Sequence, residues 1–183
     1  MLEVLKVFFW STVMGVPPVV YWCLAALLCM GVIGMVLWHG VNQGLKYSAV
    51  LLLVEWLFLV FYVTVLCRDI GGVRDGSLCP FWSYFNPKYP VEVMALNMLN
   101  VILFVPVGFL LGCGFQGMTW KKVLLSGCCL SVVIELLQLI FQRGFCEVDD
   151  VIHNTLGCLI GYGGYMMIKT LICHRGACGR ISS

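Results

Sequence analysis

Acidic and amide side chains interrupt two apolar stretches in the C-terminal half of the chain. Glu135 and Gln138 lie inside the first stretch, and Asn154 lies near the start of the second. A carboxylate inside a membrane span costs about 2.5–3.5 kcal/mol on insertion scales, and it usually faces a partner or a water-filled cavity. Glu135 is therefore the best candidate for a catalytic acid or base, although its surroundings in the sequence assign no reaction.

A short charged turn separates these two stretches. It begins at Arg143 and ends with Asp149 and Asp150. If both stretches are helices, a turn of this length makes them antiparallel neighbours. The arginine and the two carboxylates are then expected at the same end of the helix pair, where opposite charges can neutralise one another or hold a ligand.

Helical spacing places the polar residues of each stretch on one face. Glu135 precedes Gln138 by three residues and Asp150 precedes Asn154 by four, so each pair is adjacent on a helix surface. Asn100, in an earlier apolar stretch, is expected near the same end. We predict one polar cavity, lined by Arg68, Asn100, Glu135, Gln138, Arg143, Asp149, Asp150 and Asn154. The alternative is a buried hydrogen-bond network that only fixes helix packing.

Long apolar segments must position these residues. Of the 183 residues, 61% are hydrophobic and 11% are charged. This composition predicts an all-α, polytopic membrane protein, because helices satisfy their own backbone hydrogen bonds in lipid and no alternating strands suggest a barrel. About five spans are expected, over residues 18–38, 47–66, 95–115, 123–141 and 151–172, with a polar turn at 39–46. The net charge of +2 gives no reason to expect a nucleic-acid partner.

The spans form one predicted domain, residues 18–172, between two short terminal segments. Residues 1–17 are expected to be an interfacial or leader segment, and residues 173–183 a short basic tail. Small residues recur every four positions in the third and fifth predicted spans, which allows helices to approach closely. The glycines expected at these helix contacts are Gly108, Gly112, Gly157 and Gly161.

Basic residues predict the orientation of the chain in the membrane. We name side A the membrane face reached by the connection between residues 67 and 94, and side B the opposite face. Side A carries five lysines and arginines and side B carries six, and those of side B flank shorter connections, which count for more. Side B and the C-terminus are therefore expected in the cytoplasm, and the N-terminus and the polar cavity outside.

A set of short motifs follows the polar positions along the chain. They are Arg68, Cys79-Pro80-Phe81, Ser83-Tyr84, Asn100-x-x-x-Phe104-x-Pro106-x-Gly108, Ser131-x-x-x-Glu135-x-x-Gln138, Arg143 and Asp149-Asp150-x-x-x-Asn154-x-x-Gly157-x-x-x-Gly161. Together they resemble the VanZ-like family of bacterial membrane proteins over about residues 45–170. The resemblance implies a multi-pass protein of the bacterial plasma membrane that confers low-level resistance to glycopeptide antibiotics of the teicoplanin class. It implies no particular reaction.

Two classes of function fit these residues. In the first, a non-enzymatic resistance factor uses an outward polar cavity to alter how a lipoglycopeptide antibiotic reaches the membrane or a lipid-linked cell-wall precursor. In the second, an intramembrane enzyme acts on a lipid or a lipid-linked precursor, with Glu135 as general acid or base and Arg143 or Arg68 holding a phosphate. A transporter of small molecules or lipids is third, although no inverted repeat of spans is visible.

Neither a cofactor nor a metal is expected. Glu135, Asp150 and His153 could together supply metal ligands, but the spacing argues against such a site. His153 is adjacent to Asn154 and therefore about 100° away around the helix, so it is expected to face elsewhere. The expected partners are membrane lipids, with a lipid-linked precursor or an antibiotic as candidate ligands, and the sequence does not indicate an oligomeric state.

Overall fold

The computed structural model describes residues 18–66, 76–77, 79–81, 84, 90–142 and 146–178. Within these ranges the chain is almost wholly helical, which confirms the predicted all-α fold. The four helices are α1 (Pro18–Phe61), α2 (Pro90–Gly114), α3 (Trp120–Phe141) and α4 (Val148–Cys178). A five-residue π-helical turn, Tyr62–Leu66, continues α1 at its C-terminal end.

Large apolar side chains face outward on all four helices. Val54, Ile102, Ile140 and Ile160, one from each helix, are all at least 50% exposed. Such side chains are suited to contact with lipid tails rather than water. Within the described part of the chain, four helical stretches are long and apolar enough to cross a membrane: Gln43–Leu66, Leu96–Gly114, Trp120–Phe141 and Val148–His174. The predicted polytopic helical architecture is confirmed, and four stretches are close to the predicted five.

The predicted polar turn at residues 39–46 is wrong, because α1 passes through it as part of one helix of 44 residues. The segment contains Gly40 and Gly44 but no proline, so every backbone N–H in it can donate within a helix. Gln43 and Lys46, the polar residues of the segment whose side chains the structure describes, are exposed on this continuous helix. The predicted spans 18–38 and 47–66 are therefore consecutive parts of one element and not an antiparallel pair.

Some predicted features lie outside the described residues. They are the segment 1–17, Arg68, Arg143 and the end of the basic tail, residues 179–183. The first part of that predicted tail is helical, because α4 continues to Cys178. The proposed domain boundaries stay predictions.

The most extensive helix contact joins α2 and α4. A Cβ added to Gly161 would collide with the carbonyl oxygen of Val105, and one added to Gly157 would collide with that of Val101. Gly108 meets the backbone of α4 in the same way from the opposite side. Because the two backbones touch where these glycines lie, the side-A ends of α2 and α4 are held in a fixed relation.

Side chains complete the attachment of α1 to this pair. Trp56 of α1 donates its Nε1–H to the carbonyl oxygen of Leu103 on α2, at 2.9 Å. That carbonyl lies in the turn before Pro106, where the missing proline N–H disrupts the helical hydrogen-bond ladder. Gly112, the remaining predicted packing glycine, leaves room for a ring, since a Cβ there would lie 2.5 Å from the side chain of Tyr165.

The apolar core between the helices includes Val60, Phe104, Val107 and Cys158. Towards side A, buried polar residues replace the apolar ones; they are Asn97, Ser131, Glu135, Gln138, Asp149, His153 and Asn154. The helix packing therefore places these hydrogen-bonding groups close together at one end of the bundle.

Candidate functional site

Glu135 is buried near the side-A end of α3, with 3% of its surface exposed. Its Oε2 accepts a hydrogen bond from the backbone N–H of Glu147 at 3.1 Å. Glu147 belongs to the two-residue strand β2 (Cys146–Glu147), which leads directly into α4. Because a buried backbone N–H needs an acceptor, the carboxylate of α3 holds the start of α4 in place.

Gln138 lies three residues further along the same face of α3 and is also buried. Its Nε2 donates to the backbone carbonyl oxygen of Thr64 at 3.0 Å, which joins α3 to the π-helical turn after α1. The other side-chain atom, Oε1 of Gln138, is buried without a hydrogen-bond partner among the described residues. Gln142, the next polar residue on this face, is exposed and ends α3 in a left-handed conformation, so the buried polar face stops at Gln138.

Two side-chain pairs connect α4 to its neighbours. Asn100 Nδ2 donates to Asp150 Oδ1 at 2.6 Å, which joins α2 to α4. Asn154 Nδ2 donates to Ser131 Oγ at 2.8 Å, which joins α3 to α4. The Oδ1 of Asn154 is buried and has no hydrogen-bond partner within the described ranges. The polar face of α4 therefore binds both adjacent helices.

Part of the connection between α1 and α2 lies against the start of α4 and is hydrogen-bonded there. The strand β1 (Gly76–Ser77) pairs in parallel with β2. The backbone N–H of Phe81 donates to Oδ1 of Asp149, and Phe81 has a left-handed φ of 60°. Asp149 is buried in the first turn of α4, where the helix dipole favours a carboxylate.

Tyr84 and His153 form the third attachment of this connection. The Tyr84 hydroxyl lies 2.7 Å from His153 Nε2, and the two rings stack with centroids 5.9 Å apart. His153 Nδ1 lies 2.5 Å from the carbonyl oxygen of Asp149. A carbonyl oxygen can only accept, so in the neutral ring Nδ1 carries the proton and Nε2 accepts from the tyrosine hydroxyl. The tautomer of this buried imidazole is thereby determined by its neighbours.

The contact that His153 makes with Tyr84 was not predicted from the sequence. His153 does lie on a different helix face from Asn154, as expected, but that face meets Tyr84 and belongs to the same end of the bundle. The available signal was the four-residue spacing between Asp149 and His153, which places both beneath the same connection. Tyr84 itself is 69 residues away in the sequence, so no local pattern relates it to the histidine.

Six of the predicted cavity residues meet at the side-A end. They are Asn100, Glu135, Gln138, Asp149, Asp150 and Asn154. The other two, Arg68 and Arg143, lie outside the described residues. Two cavities in the described part of the chain are lined by other residues, so a side-A cavity stays a prediction.

We name the six residues with Ser131, Tyr84 and His153 the side-A network. It contains groups that can exchange a proton, Glu135 and the Tyr84–His153 pair, close to amide groups that fix orientation. The amide oxygens of Gln138 and Asn154, which no described residue pairs, can accept hydrogen bonds from a ligand with N–H or O–H donors. The arrangement is therefore suited to binding a donor-rich polar group at membrane depth.

We expect Tyr84 and His153 to stabilise the fold as a pair. Tyr84→Phe removes only the hydroxyl and should lower the free energy of unfolding by about 1 kcal/mol, because it leaves a buried ring nitrogen without its donor. In a His153→Phe background, Tyr84→Phe should cause no further loss in the free energy of unfolding. Thermal unfolding in detergent of both single variants and the double variant measures the coupling. Strictly additive losses would mean that the two side chains do not interact.

These features define a multi-pass helical membrane protein with a buried polar network at one end of its bundle. The VanZ/LLP1 family matches residues 22–169, and the chain belongs to this family. Protein VanZ of Enterococcus faecium is 37% identical over 88 residues, which are 48% of this chain and 50% of that protein. The similarity thus spans about half the length of this relative. No solved structure matches the chain. Family membership and the four spanning stretches together identify a multi-pass protein of the bacterial membrane.

Proposed function

We propose that this protein confers low-level resistance to glycopeptide antibiotics of the teicoplanin class, and that the side-A network is the site through which it acts near the outer leaflet. Membership of the VanZ/LLP1 family supports the resistance role. The location of the network supports the site, because it lies at one end of the spans, towards the membrane surface.

The observation that carries this proposal is the pair of buried acceptors on Gln138 and Asn154, which have no hydrogen-bond partner among the described residues. Their residues are 1% and 4% exposed, so water at the protein surface does not satisfy them. An unpaired polar group in such surroundings costs on the order of 1–3 kcal/mol. Both acceptors lie on the same polar end of the bundle as Glu135, which supports a site for a ligand that carries hydrogen-bond donors. Lipoglycopeptides and lipid-linked precursors both carry many amide and hydroxyl donors.

The direct test is expression of the full chain in a teicoplanin-susceptible bacterium. The minimum inhibitory concentration of teicoplanin should rise several-fold over an empty-vector control. The peptide termini of the lipid-linked cell-wall precursors, and the amounts of these precursors, should stay the same as in the control cells. An unchanged inhibitory concentration at verified membrane expression would refute the proposal.

The enzyme hypothesis is the second candidate, and the Tyr84–His153 pair favours it. A buried imidazole with a determined tautomer, hydrogen-bonded to a hydroxyl, is an arrangement that can transfer a proton. Glu135 would supply the second acid–base group. Under this hypothesis, mass spectrometry of lipid extracts from expressing cells should reveal a changed lipid or precursor species that disappears in Glu135→Gln. Identical lipid profiles in expressing and control cells would exclude this candidate.

Orientation can be tested by labelling single cysteines. A variant that retains only Cys79, which is exposed at side A, should react with a membrane-impermeant maleimide in intact cells if side A faces outward. A variant that retains only Cys178, at the side-B end of α4, should react only after permeabilisation. The reverse pattern would invert the proposed orientation, and the site would then face the cytoplasm.

A further inference from the structure

A cavity lies at the side-B end of the helices, opposite the side-A network. Its volume is about 370 Å³, and it opens between α1, α4 and the connection from α2 to α3. Two lysines line it, Lys46 from α1 and Lys169 from α4. Among the described residues that line the cavity, none is acidic. The volume is within the range of small-ligand sites, and the charge on its walls is positive.

The two lysines are not used to hold the fold together. Neither makes a hydrogen bond or ion pair with another described residue, and Lys169 only lies above the ring of Tyr165, at 5.8 Å from its centroid. Both ammonium groups therefore keep their hydrogen-bond donors for a ligand.

Two carbonyl oxygens that border the cavity already have donors. Lys122 Nζ donates to the carbonyl oxygen of Gly117 at 3.0 Å, and the Tyr162 hydroxyl donates to that of Met118 at 2.7 Å. These bonds reduce the negative potential that the connection would otherwise present to an anion. The connection thus borders the cavity without competing for its lysines.

The cavity lies at the end of the helices where the connection from α2 to α3 joins two spanning stretches, Leu96–Gly114 and Trp120–Phe141. A connection between two spans lies at the membrane surface, where long lysine side chains place their charge in the headgroup layer. The remaining wall is partly apolar, since Met166 also lines it.

We propose that this cavity binds the phosphate group of an anionic phospholipid, with Lys46 and Lys169 as its two cationic contacts. Basic cavities between membrane helices at the headgroup layer are suited to acidic headgroups. Two lysines on separate helices can contact one phosphate from two directions, and the apolar wall can contact the glycerol and the first methylenes. The site is separate from the side-A network and does not depend on the function proposed for it.

Native mass spectrometry of the purified full chain tests the proposal. Phosphatidylglycerol should be retained in preference to phosphatidylcholine, and Lys46→Gln with Lys169→Gln should weaken that retention on the order of tenfold. Lys121→Gln is the matched control, because Lys121 is exposed at side B, lies over the Trp120 ring and does not line the cavity. This control should retain the lipid as the wild type does.

Competition with inorganic phosphate distinguishes the two sources of the same chemical group. If phosphate alone displaces the lipid at low millimolar concentration, the site recognises free phosphate, and the lipid assignment is overturned. If the double variant does not fold, thermal unfolding of the wild type in phosphatidylglycerol at low and high salt replaces it, and the stabilisation should shrink at high salt. Equal retention of the two lipids by the wild type, or equal loss in the Lys121→Gln control, would overturn the proposal.

Discussion

Gly161→Leu should destabilise the protein by at least about 3 kcal/mol, beyond the usual range for an overpacked core. The reason is that the added Cβ would collide with the backbone carbonyl oxygen of Val105, which cannot rotate away as a side chain can. Relief would require α2 and α4 to separate along their whole contact. Even Gly161→Ala carries this Cβ, so it should already lower the melting temperature in detergent.

Gly163→Leu is the matched control for this change. It lies on the same helix, two residues further on, and a Cβ there would meet no atom within 4 Å. Its exposed position should keep the change in stability within about 0.5 kcal/mol. Fluorescence-detected size exclusion of the four proteins, heated in steps, measures the difference. Equal melting temperatures for Gly161→Leu and Gly163→Leu would show that the close approach of α2 and α4 is not required for stability.

The sequence predicted those parts of the fold that depend on local composition and helical period. Apolar runs of membrane length located the spanning stretches, and glycines at intervals of four pointed to residues that lie where α2 and α4 touch. Both signals are physical requirements of helices in lipid, where spans must be apolar and close packing needs small residues. Both signals can therefore be recognised from the sequence alone.

The third span was predicted to begin near residue 95, and the spanning stretch begins at Leu96, but the helix α2 itself extends back to Pro90. A proline fits the first position of a helix because its missing N–H would be unpaired there anyway. The predicted polar turn at 39–46 was wrong. Polar residues and glycine are compatible with either a turn or a solvated helix, and only tertiary structure decides between them.

The arrangement of the side-A network was predictable only within each helix. The spacing of Glu135 and Gln138 placed them on one face, but it could not show that their partners are the backbone groups of Glu147 and Thr64. Almost any residue type can supply a backbone N–H or carbonyl oxygen, so residue identity does not reveal such a partner. The contact between Tyr84 and His153 depends on where an irregular connection lies, which no periodicity describes.

The largest functional effect is expected from Glu135→Gln. Glutamine keeps the size of the side chain and an oxygen that can accept from the Glu147 N–H, so the turn into α4 should stay in place. The variant should insert and fold like the wild type. It loses the negative charge and the ability to exchange a proton, and these are the properties that the proposed site requires.

A second intramembrane carboxylate provides the control. Glu55 lies partly buried in the spanning part of α1, and it forms no hydrogen bond or ion pair with any described residue. Glu55→Gln therefore makes the same chemical change in the same membrane environment, but outside the side-A network. Its teicoplanin phenotype should equal that of the wild type.

The minimum inhibitory concentration of teicoplanin, measured at matched membrane expression, tests whether resistance depends on the Glu135 carboxylate. Cells should carry the wild type, Glu135→Gln, Glu55→Gln or an empty vector. We predict that Glu135→Gln falls to the value of the empty vector while Glu55→Gln keeps the wild-type value. Full resistance in Glu135→Gln would contradict the account, because the buried carboxylate at the centre of the side-A network would then serve the fold and not the function.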